Sequence, residues 1–564
     1  MTDMEKIREA AGRQDCTSDV FFDFLYRADR FVESLMSDYQ PQQFSQNKVI
    51  HDCVWGTVMF YPWELQIIDS PLLQRLRLIN QLGLAVLTYP SAHHSRFEHT
   101  LGVVAVVSQM VSGVNHDENS AEDGRQSPIP RGHIRILRLA ALLHDVGHCF
   151  FSHLSESIYG QYSMMKRLRE TEPVFASAQP HEILGYIIIN TPSFRRFFRE
   201  QTGYPFEKES ADSVLLLVGR MIVGALPEVT DGVRYSYLTE MINGQFDADA
   251  LDYLRRDSYA TGLALTYHID RFLYKLRIAD KIVTDPSTGE NVKERHLTVP
   301  VSGISTVEEM VFSKLMLSRY IYQHQKVLAV ESMAEDLVDG MRRGGRLSHP
   351  CDFLTLCDND IYAIGSRQRD DALRPAAAGW RLSDSTRRTV GDVAERVLLR
   401  RLPKKAMVLN LGNIARIGDM GAGEFEVGEL VDALRSIPDL RQKITAEAQR
   451  CARELGIPVP EIYDVHISVP RISMAKNFSR TPVLTYDGNF IPMSKVVDLN
   501  DWAGSFAGHS YNAYIFSDRD SLPAVSVAAL RVLRDNGILC DRGMIFSGLK
   551  ESAQIEDACK KLGE

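Results

Sequence analysis

Residues 140–153, Ala-Ala-Leu-Leu-His-Asp-Val-Gly-His-Cys-Phe-Phe-Ser-His, set three histidines and an aspartate inside an apolar run. A stretch built around Leu142, Leu143 and Val146 is bound for the interior, where ionisable side chains are costly unless they bind something. The chain must therefore fold around a polar cluster. A divalent metal is the partner that neutral imidazoles and a carboxylate accept together. His-Asp occurs three times, at His51-Asp52, His116-Asp117 and His144-Asp145, and only the last lies in a long apolar run. The other two read as surface or turn pairs.

A chain of 564 residues has room for roughly three to four average domains, or for one large helical domain and a smaller partner. Its net charge of −9 argues against a broad phosphate-binding face, so a nucleic-acid role would need a local basic patch. Small anionic ligands need only a few placed cations and stay open. The eight cysteines are scattered with no Cys-x-x-Cys pair, which fits free thiols in a reducing compartment. The start, Met1-Thr-Asp-Met-Glu-Lys, lacks the basic and apolar regions of a signal peptide. Apolar runs such as Val103–Val107 fall short of a membrane span. The expectation is a soluble, cytoplasmic protein.

Helical periodicity organises the first 345 residues or so. Residues 1–46 read as an arm of one or two short helices with the apolar stripe Phe21, Phe24, Leu25 and Val32. Apolar residues recur at helical spacing from Leu65 to Leu82, where Pro71 suits a first turn. Further helices are predicted from about Arg96 through Val111 and over Ile134–His144, Glu182–Asn190, Ser213–Val223, Ala248–Arg256, Val307–Lys326 and Met333–Arg342. Asp117 to Pro130 is polar and turn-rich, hence a surface loop. Gly344-Gly345 and Arg374–Gly379 read as linkers. Beyond Arg400, strands at Ala406–Leu411, Tyr463–Val469 and Tyr511–Phe516 alternate with helices at Glu429–Leu434, Asp439–Leu455 and Ala524–Asn536. The glycines from Gly418 to Gly423 are followed by no Lys-Ser/Thr, so they read as a turn, not a phosphate loop. The predicted fold is mainly α: an arm (1–46), a helical core (47–345) and a smaller α+β region (346–564) suited to oligomerisation or regulation.

One helix cannot complete a metal's coordination sphere. His99, in Ser95-Arg96-Phe97-Glu98-His99-Thr100, opens an apolar helix beside an arginine and a glutamate. Asp249 lies in Phe246-Asp247-Ala248-Asp249-Ala250-Leu251-Asp252-Tyr253. With His144 and Asp145 they make a two-imidazole, two-carboxylate set that suits iron, manganese, zinc or magnesium, with room for a water or a phosphate oxygen.

The order His…His-Asp…Asp resembles that of the HD-domain phosphohydrolases, and the surrounding text is more specific. Ile50-His51-Asp52, Ile67-Ile68-Asp69-Ser70-Pro71, Gln74-Arg75-Leu76-Arg77, Gln81-Leu82-Gly83 and His94-Ser95-Arg96-Phe97-Glu98-His99 come first. Leu143-His144-Asp145-Val146-Gly147-His148, Phe151-Ser152-His153, Asp249-x-x-Asp252-Tyr253 and Tyr322-Gln323-His324 follow. Together they resemble the deoxynucleoside triphosphate triphosphohydrolases, both the vertebrate enzyme with a SAM domain and the bacterial dGTPases, strongly over about 47–340 and weakly beyond. The resemblance implies water attack at the α-phosphorus of a dNTP, one divalent metal per site, additional magnesium with the nucleotide, and in bacteria a role in pool control or phage defence.

Residue roles carry over from that resemblance position by position. His153 is the implied general acid, with His148, Glu156 and His181 auxiliary. Arg96 and Lys314 would hold phosphate oxygens, and Tyr322 would flank the sugar or base. Gln81, Tyr253 and Asp257 match 3′-hydroxyl positions, and Leu82 would exclude a ribose 2′-hydroxyl. Lys48, Val49, Asp69, Gln74 and Arg77 match positions that hold an activating guanine nucleotide between subunits, which implies a homo-oligomer, commonly a tetramer. The plainer alternative is that Asp69 caps the helix begun at Pro71 and Arg77 makes a surface salt bridge. The chain also departs from the SAM-linked pattern: Glu156 replaces Asp, Ala250 a phosphate-binding Lys, Lys314 an Arg and Ser318 a His. Losing one cation and one bidentate fork alters charge neutralisation in a triphosphate pocket. Two alternatives stand beside the dNTPase: a phosphodiesterase or phosphatase for another, signalling nucleotide, and a nucleotide-sensing or nucleic-acid-binding protein with a silent site.

Overall fold

A computed structural model of the chain describes residues 8–9, 12, 14–115, 129–203, 210–265, 267–284, 289–365, 391–397, 399–418, 421–423, 425–470, 482–546 and 548–564. In the N-terminal arm residues 8–9 are helical and α1 (Asp19–Met36) follows, started by Ser18, whose Oγ accepts the Phe21 amide. Its stripe of Phe21, Phe24, Leu25 and Val32 is buried as the periodicity required. A hairpin of β1 (Lys48–Asp52) and β2 (Gly56–Phe60) leads into α2 (Pro62–Ile68).

The helix expected across Leu65–Leu82 is broken. α2 ends at Ile68, a short turn begins at Pro71, and tighter 3₁₀ turns cover Arg75–Leu78 and Gly83–Leu87. Proline has no N–H to continue the ladder and pushes the residue before it out of helical geometry. Ser70 accordingly adopts ψ 145° and caps the new turn through its Oγ. This also corrects the capping role offered for Asp69, whose side chain is exposed at the end of α2.

The centre is α3 (Arg96–Asn115), packed against α4 (Arg131–Leu143) and α8 (Ala248–Thr261), with α5 (His153–Tyr159), α6 (Pro180–Ile189) and α7 (Ala211–Ile222) around them. After its first turn α3 is apolar on nearly every side, so it is buried from all directions. Among the described residues it is the one helix long and apolar enough to cross a membrane, but most of it lies inside this core. The polar stretch Asp117–Pro130 falls largely outside the described residues.

The helical expectation misses an antiparallel hairpin, β3 (Arg277–Thr284) with β4 (Asn291–Pro300). The helix expected over Val307–Lys326 is also interrupted. α9 (Ile304–Leu317) passes into a π turn at Ser318–Tyr322, and α10 (Gln325–Arg343) restarts with His324 as its cap, its Nδ1 accepting the Lys326 amide.

In the C-terminal α+β region, β5 (Lys404–Leu409), β6 (Val465–Ser468) and β8 (Ala513–Ser517) form an antiparallel sheet with β8 central. Helices α12 (Leu440–Leu455) and α13 (Leu522–Asp535) close over it around Met407, Ile444, Ile515 and Val525. Several segments of this half bury side chains in the first core instead: Cys351, Phe353 and Leu354, then Val393, Ala394 and Val397, then Val483 and Met493. Strand β7 (Pro482–Leu484) runs parallel to β4, Val483 opposite Val299. The division of buried apolar residues therefore does not fall at 345/346. Gly418 and Gly421 close the hairpin of Ile414–Gly418 with Gly421–Gly423, residues 419–420 lying outside the described set, as does the linker Arg374–Gly379.

Candidate metal centre and active site

His99 sits in the first turn of α3, His144 caps the end of α4, Asp145 follows it, and Asp249 lies in the first turn of α8. Helix crossing brings all four together. His99 Nε2 is 3.3 Å from His144 Nε2, 3.0 Å from Asp249 Oδ1 and 3.8 Å from Asp145 Oδ2, and His144 Nε2 is 3.3 Å from Asp145 Oδ1.

The tautomers decide what this cluster wants. His144 Nδ1 faces the Ala141 carbonyl at 2.8 Å, which only accepts, so Nδ1 carries the hydrogen. His99 Nδ1 likewise donates to Asp252 Oδ2 at 2.7 Å. In the neutral rings both Nε2 atoms then present lone pairs to each other at 3.3 Å among carboxylate oxygens, an arrangement that only a proton or a metal cation satisfies. Burial alone would lower the His99 pKa, but its bonds to Asp249 and Asp252, with the Asp252 and Asp145 charges, raise it to about 10. The site attracts positive charge, and its donor set fits a divalent cation.

Asp252 anchors His99 and is itself caged. It accepts from Arg256 at 2.8 and 2.9 Å and from Trp55 Nε1, while Arg256 also reaches Asp52 at 3.0 Å. Such a partner fixes ring orientation and raises ligand basicity. The close crossing of α3 and α8 depends on Gly102: a Cβ there would lie 2.0 Å from Asp252 Oδ1. Asp252 stood within a sequence motif without a role, Arg256 and Trp55 went unassigned, and Asp52, expected in a surface or turn pair, does hold the turn at Val54 and Trp55 but is buried against Arg256. The available signal was the i, i+4 spacing of Asp252 and Arg256.

A second group adjoins the first. His148 is buried 3.3 Å from Asp145 Oδ1 and stacks on His181, ring centroids 3.9 Å apart. Burial, with the charges of Arg96, His181 and His153, holds it neutral, its pKa well below the usual value. Glu156 bridges two other imidazoles, accepting from His153 Nδ1 at 2.8 Å and His181 Nδ1 at 2.9 Å. Despite burial, these partners hold the Glu156 carboxyl below the usual range, and Glu156 in turn raises His181 to about 9 against its own burial. The longer acid therefore reaches both rings. Ligand nitrogens of His148, His153 and His181 lie within 4.8 Å of one another.

Residues 96–257, the stretch from Arg96 to Asp257 that holds His99, His144, Asp145, Asp249 and the His148–Glu156–His181 group, match the HD domain. The chain carries an HD domain in this stretch. It is 28% identical over 291 residues to an uncharacterized protein of Methanocaldococcus jannaschii, covering 52% of this chain and 49% of that one. It is 27% identical over 301 residues to deoxynucleoside triphosphate triphosphohydrolase SAMHD1 of Bos taurus (51% and 46% covered). The human SAMHD1 is 26% identical over 303 residues (51% and 44%). The chain thus spans about half the length of these curated relatives. In fold it resembles a phosphohydrolase from Bacteroides thetaiotaomicron, with TM-score 0.54 and 20% identity over 84% of this chain and all of that one.

Around the HD-domain centre the remaining candidate residues fall into two sets. Arg96 is buried and donates to Asp145 Oδ2 at 3.0 Å and Ser152 Oγ at 3.1 Å, with His153 Nε2 at 3.4 Å. Asp257 accepts from Tyr322 Oη at 2.7 Å and pairs with His94 Nε2 at 2.8 Å, a histidine that sequence analysis did not single out as a site residue. Burial and Asp257 push the Tyr322 hydroxyl well above its usual pKa. Lys314 Nζ lies 6.0 Å over the Tyr253 ring, and burial lowers its pKa against the pull of Asp247 and Asp249. Gln81 is buried, its backbone N–H donating to the His94 carbonyl at 3.0 Å, and Leu82 packs on the main core.

The regulatory candidates are more dispersed. Lys48 lies over Phe44, Val49 and Asp69 are exposed, and Gln74 ties the Ile68 carbonyl to Arg77. Arg77 stacks on Phe97 at 3.7 Å and, of the five, it alone lines the 210 Å³ cavity formed with Ile50, His51, Asp52 and Glu98.

Proposed function

We propose that the protein hydrolyses deoxynucleoside triphosphates to a deoxynucleoside and inorganic triphosphate. The observation that carries this is the convergence of His99, His144, Asp145 and Asp249, with two opposed Nε2 lone pairs, beside a separate His153–Glu156–His181 relay. His99, His144, Asp145 and Asp249 would hold a divalent cation, which would supply Lewis acidity and make water a nucleophile at neutral pH.

The chain's own groups supply the rest. Glu156 accepts the hydrogen bond from His153 Nδ1–H, which leaves the ring's Nε2–H to protonate the departing 5′-oxygen. Arg96, beside Asp145 and His153, and Lys314 neutralise phosphate oxygens. Both Asp257 oxygens are already engaged, yet a carboxylate has lone pairs left for a 3′-hydroxyl. Leu82 closes the space a 2′-hydroxyl would need. Support also comes from the SAMHD1 relatives, named for this reaction. On the same reading the protein is a cytoplasmic homo-oligomer, tetrameric by preference. A nucleotide with its magnesium would bind near Lys48, Val49, Asp69, Gln74 and Arg77, and pool depletion would starve phage replication.

One observation favours a second reading. Ala250 offers no cation beside Asp249, and Lys314 is drawn toward Asp247 and Asp249, so an HD-domain phosphodiesterase for another nucleotide would face the same centre. Metal-loaded protein incubated with the four dNTPs, singly and in pairs, separates the two. Equal amounts of deoxynucleoside and triphosphate are expected, with one nucleotide stimulating another. Orthophosphate or pyrophosphate as product, or four inert dNTPs beside a cleaved signalling dinucleotide, would overturn the dNTPase reading.

A further inference from the structure

Two backbone segments of the active site are held in an arrangement they would not adopt alone. Phe151 and Ser152, which lead into His153, have φ of 54° and 52°, the left-handed region that favours glycine. The facing segment, Asn80 to Gly83, carries Gln81 and Leu82 and approaches so closely that a Cβ on Gly83 would lie 2.9 Å from the Phe151 carbonyl oxygen. Ser152 Oγ links the two, donating to the Asn80 carbonyl at 2.6 Å while accepting from Arg96 Nε.

The group that completes this junction comes from far along the chain. Asp358, the first residue of α11 (Asp358–Gly365), is buried, and each carboxylate oxygen accepts one backbone N–H: Phe151 on Oδ1 at 2.7 Å and Asn80 on Oδ2 at 3.0 Å. The preceding turn, Pro350–Thr355, is fixed on α1, with the His349 ring 4.4 Å from Phe24 and Cys351 Sγ on the Phe24 carbonyl. The carboxylate is thus a rigid fork.

We propose that Asp358 is a positioning residue of this active site, stapling residues 80–82 to residues 151–153 so that the sugar-binding side chains and His153 keep one fixed separation. This deepens the proposed reaction and rests on that reading for His153 as proton donor. The cost of the arrangement agrees with a role. Burial pushes the Asp358 carboxyl up to about 6, with the two amide bonds and the Arg96 charge opposing.

The test uses the full-length, metal-loaded protein and Asp358→Asn, which keeps the size of the side chain but turns an NH₂ toward one of the two amides. Deuterium exchange is expected to speed up in peptides covering 78–84 and 149–155 but not in those of α3. Turnover of a dNTP should fall about 10- to 100-fold, as when a group that orients an acid is lost. Hydrolysis of the same dNTP with sulfur in place of the bridging 5′-oxygen, whose thiolate leaves without a proton, should stay within about threefold. Asp358→Glu, with the carboxylate restored, should recover part of the dNTP turnover. Equal loss on both substrates, or unchanged exchange at the two segments, overturns the proposal. Wild-type protein that cleaves only the 5′-thio analogue would instead sink the dNTPase reading. Exchange then decides the staple, faster exchange supporting it and unchanged exchange refuting it.

Discussion

Alanine at position 144 abolishes turnover and bound metal together. His144 Nε2 is one of two imidazole donors at the centre, and its Nδ1 is fixed by the Ala141 carbonyl. Removing it leaves Asp145 facing Arg96 and His99, a site that holds protons in place of a cation. Burial favours a neutral Asp145, but Arg96, His144 and His99 outweigh it and hold its carboxyl at about 2. Turnover should drop by at least about 10³-fold, or about 4 kcal/mol of barrier, because the nucleophile itself depends on the ion. Metal analysis and steady-state kinetics on the same preparation check this. An active, metal-free His144→Ala protein would refute the coordination set.

The second large effect is at a residue without a side chain. Gly102→Ala would place a Cβ 2.0 Å from Asp252 Oδ1 and 2.2 Å from Arg256 Nη2. Neither atom can retreat, since Asp252 holds His99 Nδ1 and Arg256 is tied to both Asp252 and Asp52. Either the helices separate or the buried ion pair breaks, at a cost of about 3–5 kcal/mol. The loss of a fixed His99 ring should also weaken metal binding about 10- to 100-fold. Denaturant melts and metal titration measure the two. A variant melting within about 1 kcal/mol of wild type with unchanged metal affinity would show that α3 and α8 are not so tightly crossed.

What could be read in the sequence was what is local. His144 and Asp145 stood out because polar groups interrupt an apolar helix end. His99 and Asp249 stood out because each opens a helix with acidic neighbours. The break at Ser70-Pro71 had a signal in that dipeptide, outweighed in the reading by apolar spacing that runs unbroken across it. The hairpin β3–β4 also had one: β-branched runs on either side of Asp285-Pro-Ser-Thr-Gly289.

Other features had no local signal. Asp252 becomes the partner of His99 only through the crossing of α3 and α8. Asp358 reaches Phe151 across 207 residues, and β7 finds β4 across a comparable distance. Sequence periodicity describes one element at a time, whereas these contacts are properties of two elements meeting.

Metal removal and return on the wild-type protein tests the central claim most directly. Chelation should silence turnover, and adding back a divalent ion should restore it in proportion to bound metal, reaching full rate at one ion per chain. Full activity in a chelated, metal-free chain would contradict it.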